Sequence, residues 1–346
     1  TLNTEAIQSA IDAAGREGAG RVVVPPGRYL TGSLELRRGV ELHVARGAVL
    51  LGSTEHADYR RHMPGAVRTI RVGRGFQALL YAEGIADVAI TGGGTIDGRG
   101  DDPAFEREHV REAGLGRPRL VQFVDCRNVR VRDVRLRNGA SWTCHFLACE
   151  DVLAHGVHIR AQGNYNNDGF DVESCRRVRI SDCDVDAEDD AVCLKCGTDR
   201  PCEDVVVTGC VLSSFCAALK LGTESNGGFR NIAFANIAIR APEYDTPLLR
   251  RKNVAAGIGL GSFDGAVLEN VAISNVTMDD VHVPIYVLLS DRCRPAWEGG
   301  PTPEPGIVRG VSISDVLCRR AEAPGSWITG LQGRPIEDIA LRNVHL

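Results

Sequence analysis

The chain has 346 residues, enough for one large or two ordinary domains, so length leaves the domain count open. With 43% hydrophobic and 25% charged residues and a net charge of -5, it has the balance of a globular protein and not of a nucleic-acid binder. No apolar run approaches the roughly 20 residues a membrane helix needs, and the polar start Thr1-Leu2-Asn3-Thr4 is unlike a signal peptide.

Asn3 to Ala14 fits an amphipathic helix over residues 1–15, with a polar N-cap and Ala6, Ile7, Ala10, Ile11 and Ala14 on one face. It is expected to lie across the N-terminal end of the fold as a cap. Gly20 to Gly27 reads as a strand closed by a turn.

After a looser copy at Ile85, an 11-residue unit recurs, beginning at Cys126, Cys149, Cys175, Cys202, Phe229, Leu268, Val308 and Ile336. Each unit is an anchor, two mainly polar residues, then apolar residues at places four, six, nine and eleven. The alternation breaks between places six and nine, where one short strand gives way to another round a corner. The first anchors are 23, 26, 27 and 27 residues apart, each step one coil. No unit of this size buries its apolar row alone, whereas stacked coils bury it between neighbours. Val129, Val152, Val178, Val205, Ile232, Val271, Val311 and Ile339 are predicted to form one interior ladder. The expected fold is all-β: a right-handed parallel β-helix in a single domain over 1–346. A leucine-rich horseshoe is the rival, but no copy carries its Leu-rich consensus or a helix between strands.

The stretches Ser53–Arg74 and Arg99–Arg117 break the period and read as excursions along a cleft. Of twelve cysteines, seven stand at repeat positions and read as small buried hydrophobes. Cys193 and Cys196 form a CxxC, but within a strand, and no second pair completes a zinc pattern. No metal or other cofactor is called for.

One further strand per coil carries the chemistry. Asp168 to Glu173, Asp190 to Lys195 and Phe215 to Lys220 align, with Asp168 and Asp190 one coil apart. Phe170, Val172, Val192 and Leu194 point inward, so Asp171, Glu173, Cys193 and Lys195 are expected to face solvent in a strip that also receives Lys220. Asp189 adds a third carboxylate. Clustered like charges disfavour full ionisation, so one member should keep a proton. An acid beside a carboxylate is what glycoside hydrolysis needs. Taken singly, Asp-Gly and Asp-Asp are ordinary turn residues; their stacking one coil apart is the stronger signal.

These residues resemble the polygalacturonase-like glycoside hydrolases of family 28, inverting pectinases on a right-handed β-helix. Asn166-Asn167-Asp168-Gly169 is similar to that family's Asn-Thr-Asp-Gly block and Glu188-Asp189-Asp190 to its Gln-Asp-Asp block. Supporting pieces are Gly92 to Gly98, Arg117-Pro118, Ser141-Trp142-Thr143 and Gly222 to Gly228. The resemblance implies Asp189 as general acid, with Asp168 and Asp190 holding the attacking water. Where the family has Gly-His-Gly this chain has Cys216-Ala217-Ala218, and where it has Arg-Ile-Lys, Gly259-Leu260-Gly261. Loss of those basic groups points away from a plain polygalacturonase and toward a rhamnogalacturonan-type or divergent exo-acting branch.

Candidate substrate contacts are Lys195, Lys220, Glu224, Asn166, Trp142, His145, Asp264 and Arg292, with Tyr286 a second stacking platform and Arg250, Arg251 and Lys252 loop cations. The expected partner is an acidic plant polysaccharide or oligosaccharide, with no nucleic acid or membrane, acted on by a monomer. Family members are commonly exported, which favours a secreted or periplasmic enzyme; the reduced-looking cysteines keep a cytoplasmic one open. The rival functions are a β-helix polysaccharide lyase with Lys195 as base, and a non-catalytic carbohydrate-binding solenoid.

Overall fold

A computed structural model describes residues 1–69, 76–243, 253–322 and 325–346. The described strands join one sheet, wound so that each pairs in parallel with its counterpart a coil away; the exception is an antiparallel pairing of Arg61–His62 with Phe76–Glu83. The chain is a right-handed parallel β-helix, as the repeat requires.

Each central coil has three strands. In one coil these are Cys144–Leu147, Glu150–His155 and His158–Ala161; in the next, Phe170–Glu173, Arg176–Ser181 and Asp184–Ala187. The repeat unit supplies the second and third strands, and the intervening residues return as the first. The predicted ladder is in register throughout, Val129 to Val152 to Val178 to Val205 to Ile232 to Val271 to Val311 to Ile339. All but Ile339 are buried.

The polar places of the unit have a backbone cause. Asn128, Asp151, Asp204, Asn231 and Asn270 at place three, and Asp133, Gly156, Asp182, Gly209 and Asn236 at place eight, all have φ between 54° and 67°. Gly, Asn and Asp tolerate this left-handed conformation, so they turn the chain at the same point in most coils; in the coil anchored at Cys175, Arg177 takes place three with φ 56°. Their side chains also stack: Asn270 donates to Asn231 at 2.6 Å, and Asn231 to Asp204 at 2.9 Å.

The anchors Cys126, Cys149, Cys175 and Cys202 lie inside, and all twelve cysteines are unpaired. Cys193 and Cys196 are buried in the strand Val192–Cys196.

The helix Thr4–Arg16 covers the N-terminal end of the stack, with Ile11 fully buried and Ile7 and Ala14 against the core. Its buried stripe is narrower than expected, since Ala6 and Ala10 are exposed. Asn3 makes no side-chain cap either; its amide reaches the Leu30 carbonyl of the first coil instead. Of the two excursions, the described part of the first packs Tyr59 edge-on to Phe105 of the second, at 6.0 Å between ring centres.

Candidate active site

The first-strand sheet brings the predicted carboxylates together. Asp171 pairs in register with Cys193 and Glu173 with Lys195, so Asp168 stacks on Asp190 as expected. The next step differs: Cys193, and not Lys195, is opposite Lys220. The offset there is 27 residues where the sequence alignment used 25, which keeps the side chain on its face but moves it two places toward the carboxylates. Lys220 thereby donates to Asp190 Oδ2 at 2.7 Å.

Each of two aspartates has its own lysine. Lys195 Nζ donates to Asp168 Oδ2 at 2.8 Å and also to Asp171. Asp190 Oδ1 further accepts from the Ala217 amide at 3.1 Å. Burial alone would raise the Asp190 carboxyl, but Lys220 and Lys195 outweigh it and hold it below the usual carboxylate range. Asp189 has no ion pair among the described residues. It accepts from Asn166 Nδ2 at 3.2 Å, and burial together with the Asp168 and Asp190 charges pushes it up to about 6. Glu188, half-buried beside it, is pushed up to about 7, chiefly by desolvation and then by Asp189.

A pocket of about 380 Å³ opens above this group. Its lining includes Asp168, Asp189, Asp190, Asn166, Trp142, Lys195, Lys220 and Glu224 among the predicted residues, with Arg117, Arg119, Ser141 and Thr223 added. Arg117 ends the second excursion, and its guanidinium donates to Asn166 Oδ1 at 2.8 Å and to the Ala140 carbonyl at 3.2 Å. Asn166 is thus held between Arg117 and Asp189. Arg117 was visible in sequence only as Arg117-Pro118; Arg119 and Thr223 carried no signal of their own.

Several expected positions are corrected. Asp171, Glu173 and Cys193 do point outward from the coil but are fully buried, not in solvent. His145 is fully buried too, bonded to Glu173 at 3.0 Å and to Gln122 at 3.2 Å beneath Trp142, which leaves it no path to a sugar. Asp264 is buried against Arg292, at 2.6 and 2.8 Å, and Arg292 also binds the Thr223 carbonyl. Neither is among the residues lining the pocket; the pair props the turn that carries Thr223 and Glu224. Trp142 is only 9% exposed, with Lys195 at 4.2 Å over its ring and Arg119 at 4.9 Å, so it shields cations more than it offers a face. Tyr286 follows Lys220 and Gly259 in the ladder and stacks on Trp327 at 5.6 Å. A Cβ at Gly259 would lie 2.4 Å from the Tyr286 ring, so the ring fills the place of a side chain there. Arg250, Arg251 and Lys252 lie outside the described residues.

Residues 21–346 match Glycosyl hydrolases family 28. The chain belongs to this family. It is 27% identical over 361 residues to a probable polygalacturonase of Vitis vinifera, covering 99% of this chain and 71% of that protein. It is 26% identical to an exo-poly-alpha-D-galacturonosidase of Dickeya chrysanthemi, covering 82% of this chain and 54% of that one. An exopolygalacturonase structure from Thermotoga maritima shares the fold with a TM-score of 0.76 at 24% identity, covering 99% of this chain and 82% of that chain. As a family 28 member the protein is a glycoside hydrolase of the pectin-degrading class. In the described residues no helix is long and apolar enough to cross a membrane.

Proposed function

We propose that Asp189 is the general acid of a glycosidic hydrolysis, and that Asp168 and Asp190 hold the attacking water. One observation carries this reading: two of three clustered carboxylates have a lysine partner and the third has none among the described residues. Lys220 and Lys195 favour charge on Asp190, and the neighbouring Asp168 and Asp190 carboxylates favour a proton on Asp189. Asn166, itself fixed by Arg117, aims Asp189. Protonation of the leaving oxygen by Asp189 and proton removal from water by the paired carboxylates complete the hydrolysis. Inversion is expected from the family. Oxygens of Asp189 and Asp190 come within 4.8 Å of each other, closer than the roughly 6.5–9.5 Å common to inverting pairs, so the anomer of the first product decides this point.

The activity we infer is on a pectic chain, of the rhamnogalacturonan type or of a divergent exo-acting kind, in place of plain polygalacturonan hydrolysis. Ala217 and Gly259 stand where basic residues would grip a galacturonate, and the uncharged Tyr286–Trp327 pair extends the ladder beyond Lys220. Positive charge in the pocket comes from Arg117, Arg119 and the two lysines. The second excursion is held to the coil by Asn164, which donates to the Gly100 and Phe105 carbonyls at 2.8 and 2.7 Å, and it brings Arg117 to the pocket. We further propose action as a monomer outside the cytoplasm. Incubation with homogalacturonan and rhamnogalacturonan fragments, with products followed by NMR, tests these points together. Saturated new reducing ends are expected; an unsaturated uronide would identify a lyase.

A further inference from the structure

Lys195 reaches the pocket, yet its ammonium is fully engaged from behind. It is 4% exposed. An ammonium has three N–H donors; those of Lys195 meet Asp168 and Asp171, and the Trp142 ring covers another side at 4.2 Å. Lys220 contrasts with it: among the described residues its one side-chain bond is to Asp190, and its side chain is 14% exposed, which leaves donors for a ligand.

We propose that Lys195, braced by Asp171, is a positioning residue that orients the Asp168 carboxylate toward the water site and does not bind substrate. This rests on the reading of Asp168 as a water-holding group. The bracing has a structural basis. Asp171 is flanked in register by His145 before it and Cys193 after it, and the His145–Glu173 and Gln122–His145 bonds lock the layer below. The ladder from Lys195's strand to the next coil slips between Leu194 and Cys196, so Lys195 lies at a break in the pairing, its head turned back over Asp171.

Charge balance fits a positioning role. Burial and the neighbouring Asp168 push the Asp171 carboxyl well above its ordinary range, against the pull of the Lys195 ammonium. Lys195 is itself held charged: desolvation opposes this, but Asp168 and Asp171 outweigh it. Unpaired, either charge would be costly to keep buried.

Lys195→Met keeps the length of the side chain and removes the charge. The expected result is a kcat lower by about a hundredfold, as misplacement of a reacting group costs, with KM within about threefold. A KM raised tenfold or more for acidic oligosaccharides with kcat kept, or no change in either, overturns the proposal. If Lys195→Met does not fold, Lys195→Arg keeps the charge but displaces it: lowered kcat at constant KM supports the role, and the reverse split overturns it. Asp189→Asn assayed alongside separates the two layers of inference. Full turnover in that variant removes the acid assignment, whereas an unaffected Lys195→Met beside a dead Asp189→Asn removes only the role given to Lys195.

Discussion

The outward faces of the first and second strands obey the same alternation and meet opposite fates. On the second strands, outward residues reach water and pair across coils, as Arg177 does with Asp151 at 2.6 Å and Arg309 with Glu269 at 2.6 Å. On the first strands, Asp171, Glu173, Cys193 and Lys195 point outward equally and are buried, Lys195 beneath the Trp142 ring. Direction from the coil is set by the pleat; exposure is set by what the loops cover. Exposed pairs are screened and contribute little, while buried ones shift proton affinities, so the same residue types decorate one face and make chemistry on the other.

Four variants bear on that contrast. Asp189→Asn, the largest, should cut turnover by about 10³- to 10⁴-fold, the upper range for loss of a general acid, with oligosaccharide binding kept in calorimetry. Turnover near wild type would place the proton elsewhere. Lys220→Met should lower kcat by about a hundredfold and, by leaving Asp190 buried without its partner, reduce stability by about 3–5 kcal/mol in urea unfolding; it should also raise KM, unlike Lys195→Met. Phe146→Ala, inside the stack against Phe123 at 5.5 Å, should lose about 3–5 kcal/mol through the cavity it leaves while KM stays within twofold. Arg309→Ala on the second-strand face should leave both Tm and activity unchanged, and a clear drop in Tm would erase the distinction between the two faces.

The fold was legible because its signal repeats. A valine or isoleucine at place four means little once, but eight copies in step define a ladder. The carboxylate cluster was legible for the same reason, since Asp168 and Asp190 sit one regular coil apart. What failed were properties set outside the repeat. The burial of Asp171 and His145 depends on covering turns, and the partner of Lys220 on a coil lengthened by two residues. Asp264 looked like a cleft residue because it lies in a Gly-rich turn and Arg292 because it is a loop cation, and only the structure shows that they satisfy each other. Arg117 stands at the end of an excursion whose length obeys no period, so nothing in the pattern tied it to Asn166.

The pH dependence of kcat/KM tests the central claim most directly, since it reports the proton on the free enzyme's acid. Asp189 is pushed up to about 6 and must be protonated to act, while Asp190 is held below the ordinary carboxylate range and acts ionised. Hydrolysis should therefore be greatest in mildly acidic solution and fall about tenfold per pH unit above about 6. A rate that stays level or rises from pH 6 to 8 would contradict the account.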